Sequence, residues 1–180
     1  MIIVINGAPC SGKDTFCNLV ASELIKKIGI GSCRIISTVD FVKEVARFCG
    51  WDGRKTPKDR KFLSDLKDLL TEWNDGPYND ICDYFHKCKR YWKECGHNEE
   101  NCILFVMCRE PKEIQKIVDR LGAKTLLVRR EAVEETAQSN HADKEVLNYN
   151  YDITILNNGT LDELKDVAIT FCDSFLKGEI

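Results

Sequence analysis

The sequence predicts an α/β fold: a five-stranded parallel sheet covered on both faces by helices. Three observations lead there. Apolar runs of strand length, rich in β-branched residues, recur at 2–5, 33–38, 102–107, 125–128 and 151–156. Segments with apolar residues at helical spacing stand between them, and that alternation makes parallel crossovers. Between about 57 and 95 the alternation lapses into helices with no strand, which marks an insertion. At 180 residues, with no linker, repeat or low-complexity segment, the chain reads as a single domain over 1–180.

The first element carries the strongest signal. Ile2-Ile3-Val4-Ile5 reads as a buried strand, Asn6 to Gly12 as a glycine-bounded loop, and the residues from Lys13 onward as a helix. Strand, loop and helix in that order, with Gly7 spaced as it is from Gly12-Lys13, form a P-loop. Gly7 and Gly12 let the backbone curl, so that the N–H groups of Ala8, Pro9-bounded Cys10 and Ser11 can surround one phosphate. (Pro9 itself offers no N–H.) The helix start adds unpaired donors and a partial positive charge. Lys13 supplies a full charge for the β- and γ-phosphates of ATP. Asp14 stands where serine or threonine is usual, and Thr15 comes one position later. Thr15 is the safer phosphate or Mg2+ contact. Asp14 either ligands Mg2+ or is a first-turn acid favoured by the helix dipole.

The remaining elements follow in order. Phe16, Leu19, Val20, Leu24 and Ile28 give the first helix its face, to about Lys27, before Gly29 and Gly31. The second strand delivers Asp40, and Phe41, Val45 and Phe48 mark a helix closing at Gly50. Thr56 can cap a helix with Pro57 at its first position, and Phe62, Leu63, Leu66, Leu69, Leu70 and Trp73 form one apolar face on it. Asn74-Asp75-Gly76-Pro77 breaks it, and a further helix with Ile81, Tyr84, Phe85, Tyr91 and Trp92 runs to Cys95-Gly96. The third strand precedes Cys108-Arg109-Glu110-Pro111 and a helix ending at Gly122. The fourth delivers Arg129 and Arg130. Residues 131–148 are polar and partly helical. The fifth leads through Asn157-Asn158-Gly159-Thr160 into an amphipathic helix with Leu161, Leu164, Val167, Ala168, Phe171 and Phe175.

Composition sets limits. Hydrophobic residues make up 43% and charged residues 31%, the balance of a soluble globular protein, and the net charge of −3 gives no basic field for a nucleic acid polymer. No apolar run reaches membrane-spanning length, and the first residues, used as a strand, lack a signal-peptide pattern. A cytoplasmic location is therefore expected, and the ten cysteines read as thiols. Cys17, Cys33, Cys49, Cys102 and Cys172 fall in apolar-periodic contexts and look like core residues. Cys82, His86, Cys88, Cys95, His97 and Cys102 could supply zinc ligands, but they contain no CxxC pair and fit no common finger spacing.

Parallel sheets bind ligands beyond the carboxyl ends of their strands. Those ends hold the phosphate loop, Asp40, Arg109, Arg129 with Arg130, and Asn157 with Gly159. Phosphoryl transfer uses this inventory: amides and a lysine for nucleotide phosphates, guanidiniums for the charge on the transferred group, and a carboxylate for metal or acceptor. Asp40 can equally cap the helix after it. Arg109 lies just past a buried strand and before a Pro-started helix, a position that favours a ligand role. Arg129 and Arg130 are adjacent, so one reaches a phosphate at a time.

With these residues in place, the chain resembles the nucleoside monophosphate kinase group of P-loop proteins. Gly7-Ala8-Pro9-Cys10-Ser11-Gly12-Lys13-Asp14-Thr15 is similar to the adenylate-kinase loop, which also carries threonine one position late; Cys10 and Asp14 stand where that loop has glycine. The Gly-Lys-Asp-Thr ending resembles phage deoxynucleoside monophosphate kinases. Val106 to Glu113 resembles their segment Asp-Val-Arg-x-Pro-x-Glu without its leading acid, and Asp152 to Thr160 resembles the adenine-side loop of dephospho-coenzyme A kinases. The resemblance implies a three-layer P-loop NTPase fold, with an acceptor-binding insertion over about 45–95 and a short lid over about 130–148. It implies ATP and Mg2+ as cofactors, a small-molecule phosphate acceptor as partner, and Asn157, Gly159 and Thr160 on the nucleotide side. Family lids carry arginines; residues 131–148 hold none, and Lys144 is the strongly basic residue there. A hydroxyl acceptor with Asp40 as base, or nucleotide binding without catalysis, are the competing readings. The sequence leaves the acceptor, the choice between ATP and GTP, and the oligomeric state open.

Overall fold

The five apolar runs form five strands: β1 (Ile2–Asn6), β2 (Cys33–Ser37), β3 (Ile103–Met107), β4 (Lys124–Arg129) and β5 (Ile153–Leu156). The computed structural model describes residues 1–134 and 145–180. Every neighbouring pair is parallel, in the order β2-β3-β1-β4-β5. β1 is buried at every position, which suits the centre of a sheet covered on both sides. The helices are α1 (Lys13–Ile28), α2 (Asp40–Phe48), α3 (Pro57–Asn74), α4 (Gly76–Glu94), α5 (Pro111–Leu121), the four-residue α6 (Glu131–Glu134) and α7 (Leu161–Leu176). Short 3-10 turns occupy Glu99–Asn101 and Glu145–Asn148. The result is the three-layer α/β architecture that the alternation predicts.

Successive strand side chains point to opposite faces, so β1 divides its apolar residues between two cores. Ile3 and Ile5 join Phe16, Val20 and Leu24 of α1 and Phe171 of α7. Ile2 and Val4 join Ile114 and Ile117 of α5 and Ile81 and Trp92 of α4. Phe16 sits at the middle of the first core, edge-on to Phe171 at 5.4 Å and to Phe105 at 6.4 Å. On the other face the buried Trp92 indole N–H donates to the Gly31 carbonyl at 2.8 Å, which fixes α4 against the chain between α1 and β2.

Several elements depart from expectation for identifiable reasons. α2 begins one residue early and buries Val42 and Ala46, while Phe48 is 87% exposed. The buried stripe is thus rotated from the one the aromatics mark. Cys49 lies just past this helix and is exposed, in contrast to the buried Cys17, Cys33, Cys102 and Cys172. α3 is capped as expected: Thr56 and Asp59 form a reciprocal capping box with Pro57 behind it. Its apolar face, however, contains no buried residue, and Leu69 and Trp73 are 62% and 80% exposed. α3 packs chiefly on α2 and α4. β5 starts at Ile153 instead of Tyr151 because Asp152 leaves the ladder. Its carboxylate accepts from the Thr125 N–H at 2.7 Å and hydroxyl at 2.8 Å, and its own N–H donates to that hydroxyl. Of the expected lid, residues 135–144, including Lys144, lie outside the described residues.

Candidate functional site

Because all five strands run the same way, their carboxyl ends form one rim. The register aligns Ile5 with Met107, Asn6 with Leu127, Ser37 with Met107, and Arg129 with Leu156. The residues that follow each strand therefore share an edge: Gly7 to Gly12, Thr38 to Asp40, Cys108-Arg109, Arg130, and Asn157 to Thr160.

The loop after β1 is curled tightly. Gly7 admits no side chain: a Cβ there would lie 2.5 Å from both the Val128 carbonyl of β4 and the Ser11 hydroxyl. Gly12 has φ +94, in the left-handed region, and a Cβ there would collide with the Asn157 amide. Cys10 adopts φ 63, unusual for a side-chain-bearing residue, and is exposed at the tip beside half-buried Pro9. Ala8 is buried, and its carbonyl accepts from the Ser11 N–H at 3.1 Å. The Ser11 hydroxyl is fully enclosed without a hydrogen-bond partner. Lys13 opens α1 with only 8% of its surface exposed, and its ammonium lies 3.9 Å from the Asp14 carboxylate. Asp14 and Thr15 are exposed on the first turn.

The loop is held from two sides by side-chain amides. Asn157, buried at the end of β5, donates from its amide to the Ser11 carbonyl at 2.8 Å, while its backbone N–H donates to the Arg129 carbonyl at 2.7 Å. Asn6, fully buried at the end of β1, accepts the Gly7 N–H at 2.8 Å. Its amide nitrogen donates to the Tyr151 hydroxyl at 2.7 Å and the Arg109 carbonyl at 3.3 Å. Burial pushes the Tyr151 phenol up to about 12, with the Asn6 hydrogen bond acting in the opposite sense. Neither Asn6 nor Tyr151 is among the site residues that the sequence marks. The signal for Asn6 was present: one amide closing an otherwise apolar strand beside Gly7. Tyr151 lies 145 positions away and carried none.

The other rim residues are placed as follows. Asp40 is the first helical residue of α2 and is not its N-cap, which is Val39. One carboxylate oxygen accepts the Ser37 N–H at 2.8 Å, and the other pairs with Lys43 at 2.9 Å. Arg109 is exposed, and Arg129 and Arg130 are half-buried. Gly159 precedes the capping box of α7, in which the Thr160 hydroxyl accepts the Glu163 N–H and Glu163 accepts the Thr160 N–H. A Cβ at Gly159 would enter the Glu163 carboxylate.

Beside the rim, Thr38 of the β2 loop opens onto a cavity of about 200 Å3 between α3, α4 and α5. Thr71, Tyr78 and Lys112 line it, together with the ion pair of Asp75 with Lys116 and with Glu113, which pairs with Lys67 at 2.8 Å. Lys116 and Arg120 lie over the Tyr78 ring, 4.8 and 5.4 Å from its centroid. Burial and a hydrogen bond to Cys82 push the Tyr78 phenol up to about 12, against the pull of Arg120.

The cysteine and histidine cluster is dispersed. His86 bonds the Cys82 carbonyl at 2.7 Å within α4, and His97 bonds the Ile30 carbonyl at 3.0 Å. Cys88 and Cys102 are buried, whereas Cys95 is exposed. Among the described residues no three His, Cys, Asp or Glu side chains are grouped to hold a metal ion. Among them, too, no helix is long and apolar enough to cross a membrane.

The curled loop between β1 and α1, in an all-parallel sheet, is decisive for the fold. This is a P-loop α/β fold. A scan of protein-family models and a search of curated proteins find no match. Solved structures give distant likenesses along nearly the whole chain. A shikimate kinase from Aquifex aeolicus is 13% identical over 99% of both chains, with a TM-score of 0.47. A thymidylate kinase from Ehrlichia chaffeensis is 12% identical over 95% of this chain and 97% of its own, with a TM-score of 0.49. A sugar kinase from Janibacter sp. is 15% identical over 96% and 94%, with a TM-score of 0.39. At such identities the likeness concerns the course of the backbone alone.

Proposed function

We propose that the protein transfers a phosphoryl group from ATP to a small-molecule acceptor, with a nucleoside or deoxynucleoside monophosphate as the leading acceptor. The observation that carries this reading is the P-loop itself. Gly7 and Gly12 stand where a Cβ would collide with the Val128 carbonyl and the Asn157 amide packed behind the loop, Lys13 is sequestered at its base, and the enclosed Ser11 hydroxyl has no partner. A curled loop opening onto a helix N-terminus, with one enclosed ammonium, suits a triphosphate.

The loop amides and Lys13 bind the nucleotide phosphates and stabilise charge as the phosphoryl group moves. Thr15 and Asp14 offer hard oxygen donors on the exposed first turn and would hold Mg2+. The ion neutralises phosphate charge when bound. Arg109 binds the acceptor phosphate, and Arg129 or Arg130 spans donor and acceptor. Gly159 and Thr160 border the nucleotide base, while Asn157 shapes the loop from behind. The cavity behind Thr38 receives the rest of the acceptor, in keeping with an acceptor-binding insertion.

A phosphate acceptor is favoured over a hydroxyl by the state of Asp40. Both of its oxygens are already engaged, by an amide and by an ammonium, which is poor preparation for a base. A phosphate oxygen is already anionic and needs none. Asp40→Asn is accordingly expected to reduce kcat by less than about tenfold, where loss of a general base costs 100-fold or more.

The test is ADP release measured with Mg-ATP or Mg-GTP over a panel of nucleoside and deoxynucleoside monophosphates and dephospho-coenzyme A. Acceptor-dependent release that vanishes in Lys13→Ala is expected. Release only with dephospho-coenzyme A would shift the assignment to a hydroxyl acceptor, and binding without release to a non-catalytic role.

A further inference from the structure

Three segments distant in sequence meet at one buried amide. The Asn6 carboxamide oxygen takes the N–H of Gly7, the first residue of the P-loop. Its nitrogen gives one hydrogen to the carbonyl of Arg109 and the other to the hydroxyl of Tyr151. The Tyr151 hydroxyl in turn donates to the carbonyl of Val146 at 2.9 Å. The direction of each bond is fixed by its neighbours. A backbone N–H can only donate and a backbone carbonyl can only accept, so the amide has one orientation that satisfies all its partners. Tyr151 is held independently of this bond. Its ring packs edge-on against Tyr149 at 5.2 Å, and the Tyr149 hydroxyl donates to Gln115 of α5 at 3.0 Å.

We propose that Asn6 and Tyr151 are positioning residues that lock the start of the P-loop, the backbone at Arg109 and the chain at Val146 into one register. The strand alone does not do this. Beyond Asn6 the loop leaves the sheet, and Gly7 has no side chain with which to anchor itself. The side chain of the last strand residue takes the Gly7 N–H and ties the loop to the segment that follows the neighbouring strand β3. A fully buried amide of this kind is costly to leave unpaired, so breaking any one arm disturbs the others. On the kinase reading, which supplies only its catalytic consequence, the donor site and the acceptor-phosphate site then respond together to one hydrogen-bond pair.

The test uses Tyr151→Phe, which keeps the ring and its packing on Tyr149 but removes the hydroxyl. Asn6→Ala and the double variant accompany it. Two readouts are taken: calorimetric affinity for Mg-ATP, and hydrogen exchange of the peptide carrying Gly7 to Ser11 in the ligand-free protein. Tyr151→Phe is expected to weaken Mg-ATP binding at least fivefold and to speed exchange across Gly7. The double variant should be no worse than Asn6→Ala, because both substitutions cut the same chain of bonds. A merely structural tyrosine would lower the melting temperature and leave the affinity of the folded protein unchanged. Wild-type affinity together with wild-type exchange in Tyr151→Phe overturns the proposal. Should the wild-type protein itself bind no Mg-ATP, the kinase reading fails, and exchange at Gly7 alone decides the positioning role.

Discussion

At the scale of single residues, the P-loop is defined by what it excludes. Gly12 answers two demands at once: a left-handed backbone angle and the Asn157 amide lying where a side chain would be. Gly12→Ala should therefore destabilise the fold by roughly 1–3 kcal/mol from backbone strain, with the steric clash added. In an Asn157→Ala background, which lacks both the clash and the bond to Ser11, Gly12→Ala should cost less in urea denaturation than it does in wild type, and the cost that remains is that of the angle. Both glycines and the lysine were legible in the sequence, because their chemistry is local to a short stretch. The double role of Asp40 as tie to Ser37 and partner of Lys43 was not, because an acid after a strand looks the same whether it caps, ligands or braces. Tyr151 was still less legible. Nothing near it in sequence hints that its hydroxyl meets an amide at the other end of the sheet.

At the scale of elements, periodicity identified each strand and each long helix, since a face that must be buried imposes its spacing on the residues. It could not say what does the burying. The apolar residues from Phe62 to Trp73 on α3 mark a stripe just as those of α5 do, yet α5 buries Ile114 and Ile117 in the core beside β1, and α3 buries no residue fully. Boundaries followed side chains more than strand propensity, as where Asp152 captures Thr125 and shortens β5. The start of α7 allows a direct test. The N–H and hydroxyl of Thr160 hold the Glu163 carboxyl below its ordinary value of 4.5. A carboxyl with a lowered folded value stabilises in full above its unfolded value, and loses that contribution as pH falls through the folded one. Wild type should thus melt above Glu163→Ala at pH 7, and the gap should close progressively below about pH 4.5, as followed by circular dichroism.

At the scale of the whole molecule, two cores share one sheet and carry unequal risk. Phe16 bridges α1, β3 and α7, so Phe16→Ala should cost about 3–5 kcal/mol, read as a lowered urea midpoint at unchanged slope. Trp73, four-fifths exposed, should tolerate Trp73→Ser within about 0.5 kcal/mol. The central position of β1 has a consequence for biosynthesis. Its two neighbours in the sheet are β3 and β4, which the ribosome makes about 100 residues later, and such distant pairings form slowly. A nascent chain thus carries a strongly apolar strand unpaired until about 100 further residues have been made. Chaperone dependence and inclusion-body formation on overexpression should accordingly trace to Ile2–Asn6, and slower translation should do little to relieve them until β4 has emerged.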